Sequence, residues 1–321
     1  MSKILVTGAT GLIGQTLVRK LINDGNSVIA IVRNKEKAVE LLGCENNKLE
    51  YVVDDVTTIE PKKFNIDYII HGASQTSSRA FVTEPVETIM TAVRGTYNML
   101  EIARLSNVKG FVYLSSMEVY GYPETDEKIY ENHSTNIDPM NVRSCYPESK
   151  RMCESLCSSY LSEYSVPVKV IRLTQTFGPG VKYDDGRVFA EFARCAIEGR
   201  NIILKTKGET KRSYLFIDDA VDAISAVMYN GIPGEAYNAA NESTYCSIFE
   251  MASLVANKFG NSKINVVIEE NKIENNGYAP TLHLNLDTSK LKKIGWNPKV
   301  DLEEMFRLMI DDMKKKITTK K

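Results

Sequence analysis

Tyr146 and Lys150 stand four residues apart in the stretch CYPESK. On a helix that spacing puts both side chains on one face. An ammonium beside a phenol favours the tyrosinate and lowers the tyrosine pKa toward working pH. A tyrosine so placed serves as a general base toward a sugar or alcohol hydroxyl. A second stretch, SSMEVYG at 115–121, follows the apolar run FVYL and presents Ser115, Ser116 and Glu118. Two hydroxyls and a carboxylate at the end of a buried strand make either a polar surface loop or the floor of an active site.

A third stretch, TGATGLIG at 7–14, places Gly8, Gly11 and Gly14 between an apolar strand and a helix. Glycines there let the backbone turn sharply and approach a pyrophosphate, which the helix N-terminus attracts through free N–H groups. Thr10, Leu12 and Ile13 complete the expected contact surface. The strand–loop–helix context makes this a dinucleotide-binding signature. The second strand ends in Val32 and Arg33, where an NAD site places a carboxylate for the ribose 2′-hydroxyl. A cation suits a 2′-phosphate, which tilts the expectation toward NADP over NAD. Asp55, followed by Val56 in DDV, is positioned to accept from the adenine amine.

The elements that must hold these residues alternate from the first residue onward. KILVTG, SVIAIV, LEYVVDDV, IDYIIHGAS, GFVYLSS and VKVIRL read as strands. Helices are predicted over LIGQTLVRKLIND, near 35–42, over about 85–105 and over roughly 146–164. Uniformly apolar strands alternating with helices predict a parallel sheet covered on both faces, an α/β doubly wound fold of Rossmann type. After about residue 175 the rhythm changes, with FGPGVKYDDG, an acidic-start helix FIDDAVDAISAVM and a mixed region. Residues 1–174 with about 213–240 form the expected dinucleotide-binding domain. Residues 175–212 and 241–321 form a smaller mixed α/β substrate lobe.

Composition narrows the functions. With 40 basic and 41 acidic residues in 321, the net charge is −1, which gives no footprint for nucleic acid. No apolar run approaches a membrane span and none reads as a signal peptide. The six cysteines and three histidines form no metal-ligand pattern, so no metal is expected, and reduced packing cysteines suit a cytoplasmic protein. The terminal KKKITTKK reads as a solvated, frayed tail.

Together these motifs resemble the extended short-chain dehydrogenase/reductase family, the NAD(P)-dependent nucleotide-sugar epimerases and dehydratases. HGAS at 71–74, RLTQTFGPG and LDTSKLKKIGWNP carry the resemblance across nearly the whole chain. It implies a nucleoside-diphosphate sugar substrate, transient oxidation at C4 by hydride transfer, and a homodimer built on the helices near 85–105 and 146–164. It implies that Ser116 hydrogen-bonds the reacting oxygen, that Tyr146 removes the proton and that Lys150 holds Tyr146 and the nicotinamide ribose. Ala73 of HGAS joins the cofactor contacts. Arg212 matches an arginine that contacts the diphosphate, a geometry suited to a guanidinium fork. Gln175, Ser77 and Arg187 are the remaining substrate-side candidates, with a surface role the alternative for Ser77 and Arg187. Glu118 lies where the dehydratases and UDP-glucuronate decarboxylases carry a glutamate, and a carboxylate there can remove the acidic C5 proton of a 4-ketone. The alternative for Glu118 is a solvent-facing residue of an epimerase.

The chain also departs from that pattern. Met117 replaces an aspartic acid or serine, and a thioether cannot protonate a leaving hydroxyl. Gln175 and Ala92 stand where asparagines are usual, and His283 and Leu284 stand where decarboxylases carry an arginine. An NADPH-dependent reductase of a 4-keto nucleotide sugar is the competing reading. A catalytically silent NADP sensor on the same fold is a third, opposed by intact Ser116, Tyr146 and Lys150.

Overall fold

The computed structural model describes residues 1–260, 263–269 and 281–319. Its first elements are β1 (Lys3–Thr7), α1 (Leu12–Asn23), β2 (Ser27–Val32), α2 (Lys35–Leu42), β3 (Leu49–Val53), β4 (Tyr68–His71), α3 (Ala80–Thr83), α4 (Pro85–Ser106), β5 (Gly110–Ser116), α5 (Cys145–Tyr164) and β6 (Val168–Leu173). There follow β7 (Gln175–Phe177), α6 (Val188–Glu198), β8 (Ile202–Leu204), β9 (Lys211–Phe216), α7 (Ile217–Asn230), β10 (Ala236–Ala239), β11 (Asn241–Ser247), α8 (Ile248–Phe259), β12 (Val266–Ile268), β13 (His283–Leu284), α9 (Ser289–Lys293) and α10 (Leu302–Thr319).

Seven strands build one sheet in the order β10-β6-β5-β4-β1-β2-β3, every pair parallel. This is the doubly wound sheet that the alternating apolar strands predict. One face carries α1 and α7 over a core that includes Leu17, Leu21, Val221 and Ile224. The other carries α4 and α5 over Met99, Leu100, Cys153 and Cys157. Each such fully buried aliphatic side chain stabilises by roughly 1.5–3 kcal/mol, so the two faces dominate stability. A smaller sheet, β11-β9-β13 with β7 beside β9, mixes parallel and antiparallel pairs. It packs with α6, α8 and α10 around Phe177, Phe189 and Phe306.

Between β5 and α5 the chain crosses to that smaller sheet. Ile129 bridges Leu286. Asp126 accepts from Lys211 Nζ at 3.0 Å and from the Tyr245 hydroxyl at 2.6 Å, and His283 Nδ1 lies 3.2 Å away. The basic tail differs from expectation. Residues 314–319 continue α10, and Lys316 pairs with Asp312 at 2.6 Å, the i,i+4 spacing that supports a helix. Lys320 and Lys321 lie outside the described residues.

Candidate active site

β1 delivers the chain into the glycine turn at the C-terminal edge of the sheet. Gly8 has φ +71°, and a Cβ on it would stand 2.7 Å from the Gly72 carbonyl oxygen. A Cβ on Gly14 would stand 2.1 Å from Gly8 O, so the first turn of α1 packs directly on the loop. Thr7, just before the turn, ties it to β4. Its hydroxyl oxygen accepts from Gly72 N and Ala73 N, both at 3.1 Å. Its proton is then free to donate to His71 Nδ1 at 2.7 Å. Burial, aided by the Lys150 charge, pushes His71 down to about 3, so it stays neutral. A backbone cradle with no room for side chains, at the N-terminus of α1, fits a dinucleotide pyrophosphate.

The turn opens into a cleft of about 2330 Å³. Gly8, Thr10, Gly11, Leu12, Ile13, Gly14, Arg33, Asp55, Val56 and Ala73 all line it. Arg33 is exposed, and its Nη1 lies 3.9 Å from Asp55 Oδ2. Burial pushes the Asp55 carboxyl up, but hydrogen bonds from Thr57 N and its hydroxyl, with the Arg33 charge, outweigh it and hold the group low. Lys37, unremarked in the sequence, lines the same end.

Ser116, Glu118, Tyr146 and Lys150 line the opposite end. Strand alternation separates the two serines of β5. Ser115 Oγ donates to Glu154 Oε1 at 2.6 Å, and Glu154 is paired with Arg172 at 2.6 Å. Ser116 instead lies beside Tyr146, whose pKa it pulls down, and accepts from Glu118 N at 3.2 Å. Lys150 Nζ donates to Leu114 O at 2.8 Å and sits 5.8 Å from the Tyr146 ring centre. The expectation that Lys150 lowers the Tyr146 pKa is corrected here. Tyr146 is raised, chiefly by burial and next by the Glu118 charge, while Ser116 and Arg143 pull it down only in part. Burial brings Lys150 itself down to about 8.

Glu118 is not free in solvent. Arg143 Nη2 donates to its two oxygens at 3.2 and 3.0 Å. The Arg143 guanidinium lies 4.7 Å from the Phe81 ring centre, and Phe81 stacks on Tyr146. Phe81 belongs to no motif that sequence reading recognises, and Arg143 opens the decarboxylase-like segment RSCYPESKRMCESLC with no sign there that it meets Glu118. α3 and the start of α5 bring them together only through the fold, and the Cys145 thiol donating to Phe81 O at 3.2 Å joins the same two segments.

The substrate-side candidates divide. Gln175 lines the cleft, and its Oε1 is buried with no partner among the described residues. Arg212 lies on β9, two positions from the residue paired with Gln175, outside the cleft lining, with Nε buried and likewise unpartnered. Arg187 lines the cleft but is paired with Asp185 at 2.6 and 2.9 Å, so its charge is already met. Ser77 is exposed, lies outside the lining and accepts from Ala80 N at the start of α3. Met117 lines the cleft, and its sulfur accepts from the Thr174 hydroxyl at 3.2 Å. Among the described residues no cluster of His, Cys, Asp and Glu is arranged to hold a metal ion, and no helix is long and apolar enough to cross a membrane.

The chain is 32% identical over 318 residues to UDP-glucuronic acid decarboxylase 3 of Arabidopsis thaliana, covering 97% of this chain and 89% of that protein. It is 30% identical over 320 residues to UDP-glucuronic acid decarboxylase 1 of Xenopus tropicalis, covering 98% and 73%. Among solved structures, the UDP-glucose 4-epimerase of Thermotoga maritima with UDP-glucose superposes with a TM-score of 0.83 at 25% identity, covering 98% of this chain and 99% of that one. Residues 4–240 match the model of the NAD dependent epimerase/dehydratase family. The chain belongs to that family.

Proposed function

We propose that this chain oxidises a nucleoside-diphosphate sugar transiently at C4, using an NAD(P) that it retains, and that Glu118 then moves a proton at C5. The observation that supports the reading is the meeting of Ser116, Tyr146, Lys150 and Glu118 on one wall of the cleft opened by the glycine turn. The dinucleotide, when bound, supplies an acceptor and later a donor of hydride. Ser116 orients the C4 hydroxyl, and Tyr146, raised by burial, takes its proton once the positive nicotinamide of a bound oxidised dinucleotide favours the tyrosinate. Lys150 holds the ribose hydroxyls beside Tyr146. With C4 oxidised, a carboxylate on C5 is a β-keto acid that leaves as carbon dioxide, and a proton on C5 is acidic. The names of the relatives favour the decarboxylation of a UDP-hexuronate among these outcomes.

In this reading residues 1–174 with 213–240 carry the dinucleotide, and the other segments carry the sugar. Gln175 and Arg212 take the diphosphate side. NADP is favoured over NAD because Val32 is buried and apolar while Arg33 and Lys37 line the adenosine end. The exposed apolar side chains of α4 and α5 support a homodimer, and the free cysteines suit a reducing cytoplasm. The same Arg33 and Lys37 favour a second reading, an NADPH-dependent reductase of a 4-keto nucleotide sugar.

The test is to denature the purified protein, identify the released dinucleotide by mass spectrometry, and incubate the native protein with UDP-glucuronate and other nucleotide sugars. Oxidised dinucleotide at one per chain, with turnover needing none added, is the expected result. Tyr146→Phe should then abolish turnover. An empty protein that consumes NADPH stoichiometrically would establish the reductase instead.

A further inference from the structure

Arg143 stands behind Glu118, outside the cleft lining, and touches the site only through other side chains. Glu118 lies in the short 3-10 turn Met117–Tyr120. The backbone of that turn is fixed by Ser116 Oγ accepting from Glu118 N and by Arg151 Nε donating to Val119 O at 2.8 Å. The Glu118 side chain is a different matter. It is 30% exposed and has three rotatable bonds. Among the described residues its carboxylate is held by Arg143 alone.

Arg143 is the stiffer partner. Its backbone N–H donates to Asn141 Oδ1 at 2.9 Å, two residues before α5 begins. Its guanidinium plane rests on Phe81, which is 2% exposed. A single nitrogen serves both carboxylate oxygens, which leaves each oxygen a further lone pair on a residue that lines the cleft. A planar cation held by an aromatic ring is a better template for this than a lysine.

We propose that Arg143 is a positioning residue for the C5 step, fixing the Glu118 carboxylate while Ser116, Tyr146 and Lys150 run the C4 step. This rests on the reading that Glu118 moves the C5 proton. One side effect follows from charge. Arg143 pulls the Tyr146 pKa down and Glu118 pushes it up, so losing Arg143 raises Tyr146 further.

The experiment uses the full chain with its retained dinucleotide and UDP-glucuronate as probe. Near-ultraviolet absorbance of the reduced dinucleotide follows the C4 step, and nuclear magnetic resonance of the product follows the C5 step. In Arg143→Gln the C4 step should fall only about three-fold and recover at higher pH. The C5 step should fall roughly 30-fold, as for a displaced acid–base group, and reduced dinucleotide should accumulate. Arg143→Lys should restore part of the C5 step. Equal loss of both steps, or a C5 step untouched in Arg143→Gln, overturns the proposal. A crystal structure of Arg143→Gln needs no turnover. Glu118 unmoved there overturns the proposal as well, whereas Glu118 displaced with Tyr146 and Lys150 in place supports it. Normal turnover by Glu118→Gln would instead sink the functional reading and leave the placement of Glu118 by Arg143 standing.

Discussion

The ring of Phe81 lies flat on the ring of Tyr146, with centroids 4.3 Å apart and planes at 15°. Phe81 thereby covers one face of the buried Tyr146 ring and limits its rocking. Phe81→Ala should cost about 3–5 kcal/mol from lost burial and the cavity together. Phe81→Leu keeps most of the volume and should cost about 1 kcal/mol. Even so, Phe81→Leu should slow C4 oxidation by roughly 10-fold or more, because small misplacements of a reacting group are expensive. Thermal melts and single-turnover rates on the two variants separate these effects. A Phe81→Leu enzyme of full speed would show that the stack does not orient Tyr146.

Lys150 gives a stability prediction with a definite sign. Burial lowers it from 10.5 to about 8. Below about pH 8 it is charged in both folded and unfolded chains, so the folded state bears the whole desolvation penalty, roughly 3 kcal/mol. Between about pH 8 and 10.5 the unfolded chain binds more protons, and the penalty is relieved as pH rises. Lys150→Met should therefore gain on wild type near neutrality and lose that advantage by about pH 10.5. Denaturant titrations at both ends of the window check this, and a constant difference between the two proteins would refute it.

Arg33 offers a test of cofactor choice. It faces the cleft from an exposed position and is only loosely paired, with 3.9 Å to Asp55. Arg33→Ala should weaken NADPH binding about 10-fold, the loss of one charge-assisted contact, and leave NADH unchanged. Fluorescence titration of the two reduced dinucleotides reads the ratio directly. Equal weakening of both would return Arg33 to the status of an ordinary surface residue.

α4 and α5 pack side by side on one face of the large sheet and turn Val86, Tyr97 and Met152 outward, at 72%, 49% and 53% exposure. If two copies meet there, Val86→Glu with Met152→Glu should convert a dimer to a monomer in sedimentation velocity, with the fold retained by circular dichroism. Wild type that sediments as a monomer at high concentration would remove the case for this surface.

The parts legible in the sequence were those written in local patterns. The apolar runs gave the order of β1 to β6, and the glycines of TGATGLIG marked the turn because only glycine fits at Gly8 and Gly14. Tyr146 and Lys150 were legible because a helix makes residues four apart neighbours. Contacts made by the fold were not. Phe81 and Tyr146 are 65 positions apart with no motif to link them, and Glu118 and Arg143, 25 apart, sit in two decarboxylase-like segments that do not show their contact. Environment was also hidden. The neighbouring ammonium suggested an acidic Tyr146, but the sequence carries no measure of the burial that raises it. Arg187 looked free in the sequence because nothing there shows that Asp185 has already folded back onto it.

The crossing of residues 121–141 over the smaller sheet carries one more consequence. Only a short run of chain separates Glu118 from Asp126, and Asp126 is clamped to Lys211, the neighbour of Arg212 on β9. If Glu118 faces the sugar ring and β9 the diphosphate, as proposed, the two are joined by this one short tether. Adding residues to that tether would slacken it and let substrates of a different length be admitted. On that reading its reach would act as a ruler for the molecule bound between them.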